Sequence, residues 1–208
     1  MDRPRWFFDF ISPFAYFQFV LHNAEFKRRG FILTPVLFAG LLKHWGHKGP
    51  AEIGDKRRFT YRFSQWYAIS KNISFRMPPT HPFNPLVPLR LAIAAGNDYH
   101  SILTIFNFLW RDGRSLDDEE SKGELVTSLN LDMADLNRED VKIALKENTE
   151  QAIESGVFGV PTTVVGRELF WGSDATDMLF DYLNNPEAFD TEEMQRVSDL
   201  PYGVYRKV

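Results

Sequence analysis

The chain has 208 residues, a formal net charge of −4 and a sequence pI near 5.8, a balance that excludes the basic footprint of a nucleic-acid binder. No apolar run is long enough to span a bilayer. With 44% hydrophobic and 25% charged residues the composition fits one globular domain, or one domain carrying a large insertion, and the 19 Phe point to core and interface filling or to an aromatic-lined cleft.

Arg5-Trp6-Phe7-Phe8-Asp9-Phe10 predicts a first strand over residues 5–10. Ser12 then stands as N-cap and Pro13 as N1 of a helix with Phe14, Phe17, Leu21 and Ala24 at helical spacing. Lys27, Arg28 and Arg29 fall in its last turn and Gly30 stops it. Phe31 to Phe38 reads as a second buried strand, so the opening is a βαβ unit with a parallel pair. Helical patterns follow over 40–46, 56–71, 84–96, 98–111 and 121–130, and a longer helix is expected with Asn137 as N-cap, Asp140 at N3 and Gly156 as stop. Thr162-Thr163-Val164-Val165 and Glu168-Leu169-Phe170-Trp171 flank a hairpin-like Gly166-Arg167 break. A last helix is expected to begin near Ser173-Asp174 and to end before Pro186, ahead of a polar tail with an aromatic pair, Tyr202 and Tyr205.

Removing residues 40–135 leaves the order β-α-β-α-β-β-α. The expectation is an α/β, thioredoxin-like fold made of residues 1–39 and 136–208, with an inserted helical domain at 40–135. In that fold the Ser12-Pro13-Phe14-Ala15 turn has the spacing of a Cys-x-x-Cys redox turn, with Ser and Ala where the sulfurs would stand. The chain has no Cys. It cannot perform thiol–disulfide chemistry alone, so any sulfur must come from a small molecule. His44 and His47 lack a third ligand, so no metal is expected. The N-terminus has no signal-peptide pattern, which makes the cytoplasm the expected compartment.

Three motifs occur in order: Phe8-Asp9-Phe10-Ile11-Ser12-Pro13-Phe14-Ala15-Tyr16, Phe158-Gly159-Val160-Pro161-Thr162 and Phe170-Trp171-Gly172-Ser173-Asp174. Together they resemble the 2-hydroxychromene-2-carboxylate isomerases and the related kappa-class glutathione transferases over nearly the whole chain. His81-Pro82-Phe83-Asn84 with Arg90 looks like the family's insertion signature. The resemblance implies glutathione as cofactor, a homodimer, a cis proline at Pro161, and Ser12 as the residue that holds the glutathione sulfur. It also implies glutathione contacts from Val160, Ser173 and Asp174, and from His47 and Lys56 in the segment after the second strand. Lys43 and Arg90 are candidates for a substrate carboxylate, with surface or helix-cap roles as the alternative. The chain departs from the kappa pattern at His47, where an asparagine is usual, at Phe63, where an acid is frequent, and at Ala175, where an arginine usually follows the aspartate.

The chemistry is physically reasonable. A thiolate at a helix N-terminus gains roughly 0.3–1 kcal/mol from the dipole, up to about 2 when protected, and a hydrogen bond to a charged group adds about 1.5–3 kcal/mol. A thiol of ordinary pKa about 8.5 would fall one to three units. The expected activity is glutathione-dependent cis–trans isomerisation of 2-hydroxychromene-2-carboxylate or a similar aromatic keto-acid. The alternatives are a glutathione transferase or peroxidase acting on electrophiles, and a non-enzymatic module that binds an extended peptide along the Val160-Pro161 edge.

Overall fold

The computed structural model describes residues 2–204, so Tyr205 lies outside them. In β1 (Arg5–Phe8) successive side chains alternate between faces. Trp6 and Phe8 therefore enter the larger of two apolar clusters, and Phe7 enters the smaller. β1 pairs in parallel with β2 (Ile32–Pro35) and antiparallel with β3 (Thr162–Val165), which pairs antiparallel with β4 (Glu168–Trp171). The strand order is β2-β1-β3-β4. The crossover between the parallel strands is α1 (Pro13–Arg28).

The strand expected over 31–38 is half that length. At its end, side chains replace the ladder: Leu37 N–H donates to Thr149 Oγ1 at 3.0 Å and Phe38 N–H to the Asp9 carboxylate at 2.9 Å. This releases the chain into α2 (Phe38–Trp45), stopped by Gly46 in the left-handed region at φ 66°. Next come α3 (Gly54–Ser70), α4 (Leu86–Ala94), α5 (Tyr99–Phe106) and α6 (Glu119–Ser128). α5 continues into a π turn, Asn107–Arg111.

The long helix α7 (Glu139–Glu154) starts later than expected. The Asp135 carboxylate accepts from Asp132 N–H at 2.9 Å and Asp135 N–H donates to the Asp132 carbonyl at 2.9 Å, which captures residues 133–137 as a separate 3-10 turn, so Asn137 closes that turn and Arg138 is the N-cap of α7. After β4, Ser173–Ala175 forms a 3-10 turn before α8 (Thr176–Asn184). The polar tail contains a further 3-10 turn, Pro186–Phe189, and α9 (Glu192–Ser198), capped by Thr191.

The phenylalanine surplus fills the core. Phe8, Phe10, Phe17, Phe19, Phe26 and Phe106 are fully buried in the larger cluster, each worth about 1.5–3 kcal/mol of burial. The smaller cluster joins Phe7 and Val36 to Leu41 of α2 and Ala152 of α7.

Candidate active site

β1 ends at Phe8, and the next four residues carry the chain into α1. Ser12 is the N-cap, in extended conformation (φ −94°, ψ 115°), and its hydroxyl accepts from Ala15 N–H at 3.3 Å. The same hydroxyl donates to the Val160 carbonyl at 3.5 Å. Both contacts are at the long limit for hydrogen bonds, so the hydroxyl proton is loosely held and can turn to another acceptor. Ser12 is 7% exposed. Pro13 has no N–H to offer, Ala15 N–H is held by the Ser12 hydroxyl and Tyr16 N–H by the Ser12 carbonyl, so Phe14 N–H is the first-turn donor of α1 left without a partner among the described residues.

The loop beneath Ser12 is pinned by residues that the sequence did not single out for this role. Trp110, carried on the π turn and fully buried, donates its indole N–H to the Phe10 carbonyl at 2.8 Å. His81 Nε2 lies 2.8 Å from the Ile11 carbonyl. A carbonyl only accepts, so that nitrogen carries a proton. Tyr61 OH then sits 2.7 Å from His81 Nδ1 and 2.8 Å from the His81 carbonyl. Burial is the largest influence on the imidazole and moves its pKa below the ordinary value, the Ile11 bond opposes this, and Arg57 adds to it. The His81–Pro82 peptide bond is cis.

Asp9 is the third support. Its carboxylate accepts from Ile11 N–H at 3.0 Å and Phe38 N–H at 2.9 Å, tying the Ser12 turn to the start of α2. It is fully buried, and desolvation lifts its pKa from 3.8 to about 7 against the pull of those two donors. Asp9 belongs to the first motif, and its position three residues before the helix cap is the sequence signal for this role.

Opposite Ser12, the Val160–Pro161 bond is cis. The surrounding carbonyls are engaged: Thr162 Oγ1 donates to Gly159 at 2.7 Å and Gly172 N–H donates to Pro161 at 2.9 Å. Val160 N–H forms no hydrogen bond among the described residues. A Cβ at Gly159 would stand 2.5 Å from the Trp171 indole nitrogen, so the ring of Trp171 packs against the bare backbone there.

Ser173 and Asp174 do not open an α-helix as expected; they lie on the 3-10 turn that precedes α8. Gly172 makes that turn at φ 92°, a backbone only glycine adopts freely, with the Asp174 carboxylate folded over it. The turn is held from below by Gln18, buried on α1. Gln18 accepts from the Trp6 indole at 2.7 Å and donates to Thr176 Oγ1 at 2.8 Å. One side chain thus joins β1, α1 and the Ser173–Asp174 corner.

Lys43 is exposed on α2, His47 is exposed in the loop after it, and Lys56 is exposed in the first turn of α3. Their side chains make no hydrogen bond or ion pair among the described residues, and no contact ties them to Ser12. Arg90, half-buried on α4, faces α7 rather than the Ser12 turn. Phe63 packs between Phe14, two residues after Ser12, and Phe59 on α3, with ring centroids 6.0 and 5.9 Å away. Trp171 is exposed and Trp110 is wholly internal. No cluster of metal-ligating side chains occurs among the described residues, and no described helix is long and apolar enough to cross a membrane.

A four-stranded mixed sheet whose first strand runs into a Ser-Pro helix start, facing a cis-proline loop, defines a thioredoxin-like protein. The model of the DSBA-like thioredoxin domain family matches residues 5–184, and the chain belongs to that family. It is 27% identical over 206 residues to glutathione S-transferase kappa 2 of Caenorhabditis elegans, covering 88% of this chain and 92% of that protein. It is also 27% identical over 194 residues to 2-hydroxychromene-2-carboxylate isomerase of Pseudomonas putida, covering 83% and 90%. Among solved structures, a 2-hydroxychromene-2-carboxylate isomerase superposes with a TM-score of 0.72 at 23% identity over 91% of this chain and 99% of that one. This last likeness concerns the fold.

Proposed function

We propose that the protein is a glutathione-dependent enzyme that stabilises the bound tripeptide's thiolate at Ser12 and adds it to an electrophilic carbon of an aromatic compound. The observation that carries this reading is the loosely held Ser12 hydroxyl at the start of α1, facing Val160 in a chain without cysteine. The names of the two full-length relatives support glutathione as cofactor and isomerisation or transfer as the reaction. The unbonded Val160 N–H suits the cysteinyl carbonyl of glutathione. The Ser173–Asp174 turn suits its γ-glutamyl ammonium and carboxylate, and Lys56 with His47 suits its glycyl carboxylate. A homodimer in the cytoplasm is part of the same reading.

For an isomerase the steps balance without a redox partner. The thiolate forms a C–S bond at the conjugated carbon of a keto-acid, and the alkene electron pair moves to the carbonyl oxygen as an enolate. The former double bond rotates, the enolate pair returns, and the C–S bond breaks to regenerate the thiolate. A kappa-like transferase would use the same nucleophile and retain the C–S bond in its product. The broader match to the kappa transferase favours keeping this second reading.

The test is turnover of 2-hydroxychromene-2-carboxylate and of an aryl halide, with and without glutathione, by wild type and Ser12→Ala. The expected result is glutathione-dependent turnover of at least one compound that falls at least tenfold in Ser12→Ala. Wild-type rates in the variant, or turnover without glutathione, would refute the proposal.

A further inference from the structure

Four arginines are half-buried among the described residues, at positions 5, 29, 90 and 114. Arg5 donates to Thr34, Arg29 to Glu25 and Asn184, and Arg114 to Glu124. Arg90 alone has no hydrogen-bond or ion-pair partner among the described residues, and its Nε is fully buried and unsatisfied. A guanidinium carries five donors and no acceptor, and leaving it partly desolvated and unpaired is unfavourable.

Arg90 lines a groove of about 330 Å³ between α4 and α7, at the small end of the roughly 300–1,000 Å³ typical of small-molecule sites. Leu37, Leu86 and Leu145 supply its apolar surface. Lys142 and Lys146, one turn apart on α7, also line it, with Glu150 as its one acid. The lysines are held only by their helix neighbours, Lys142 by Glu139 at 3.5 Å and Lys146 by Glu150 at 3.6 Å. Exposed pairs of this kind contribute little, so both lysines are free to turn toward a ligand. Thr149 is already used within the fold, accepting from Leu37 N–H and donating to the Leu145 carbonyl.

We infer that this groove is a binding site for a small amphipathic carboxylate. The carboxylate pairs with Arg90 in a two-pronged hydrogen bond, Lys142 and Lys146 add attraction from the rim, and the apolar body rests on the three leucines. None of Ser12, Val160, Ser173 and Asp174 lines the groove, so the site is separate from the proposed thiolate site and stands whether or not glutathione is the cofactor.

The test follows the Arg90 Nε–H resonance by nitrogen–proton NMR while the full chain is titrated with hexanoate, its neutral isostere hexanamide, or inorganic phosphate. The expected result is a saturable shift with hexanoate and at least tenfold weaker binding of hexanamide and of phosphate. Ser12→Ala should leave the hexanoate titration unchanged. Lys146→Ala, at an exposed position, should weaken it severalfold, and Arg90→Met, followed instead at the backbone amide resonance of Leu145 in the groove wall, should abolish it. Absence of a saturable shift, equal binding of either control, insensitivity to Lys146→Ala, or loss of binding in Ser12→Ala would overturn the proposal.

Discussion

At the Ser12 end of the candidate site every polar group beneath the turn is bonded within the protein. The Phe10 carbonyl meets Trp110, the Ile11 carbonyl meets His81, and Asp9 meets two backbone donors. His47 and Lys56, proposed for the other end, stand exposed, their side chains without a partner among the described residues. The difference separates two tasks. Stabilising a developing charge requires donors fixed before the ligand arrives, whereas gripping a flexible tripeptide's outer carboxylate tolerates side chains that settle after it binds.

The pinned end breaks most readily at Trp110. Trp110→Ala leaves a large cavity and an orphaned Phe10 carbonyl, and should cost about 3–5 kcal/mol in urea-induced unfolding. A loss below about 1 kcal/mol would mean that Trp110 does not support the turn.

Asp9 sharpens the contrast through pH. Burial raises its pKa from 3.8 to about 7, so between those values the folded chain binds a proton that the unfolded chain has released. Asp9 therefore makes stability fall as pH rises through that window, by up to about 1.4 kcal/mol per pH unit, levelling off above it. Asp9→Asn removes a titrating group, and unfolding measured across this range should show the slope flattened. An unchanged slope would show that Asp9 titrates normally.

The exposed end should respond in the opposite way. Lys56→Ala should move stability by no more than about 0.5 kcal/mol while raising KM for glutathione severalfold at unchanged kcat. An unchanged KM would remove Lys56 from the site.

These two ends were also unequally legible in the sequence. The cap at Ser12, the βαβ opening and the β3–β4 hairpin follow from local chemistry: a proline at N1, period-2 alternation and a Gly-Arg break. Trp110, His81 and Gln18 act across 100, 70 and 154 residues of chain, respectively. No local spacing marks a side chain whose partner is a distant carbonyl: Trp110 and Gln18 also fit ordinary helical patterns, and His81 stands in the insertion signature without a role that local sequence reveals. Position 137 shows the complementary failure. Asn137 is a good N-cap by type, but the turn that begins at Asp132 takes the same stretch, held by Asp132 N–H on the Asp135 carboxylate and Arg138 N–H on the Asp135 carbonyl. Arg90 is a carboxylate candidate by residue type alone, and the packing of α4 against α7, which sequence spacing does not reveal, sets the groove it faces.

On the proposed function, the Ser12 turn lends its hydroxyl and helix N-terminus to a sulfur anion the chain does not itself carry. The most direct measurement is the pKa of glutathione's thiol when bound, followed by the ultraviolet absorbance of the thiolate in wild type and Ser12→Ala. The expected result is a bound pKa at least one unit below the free value of about 8.5, with a return of most of that shift when the hydroxyl is removed. A bound thiol that titrates like free glutathione, or identically in the two proteins, would contradict it.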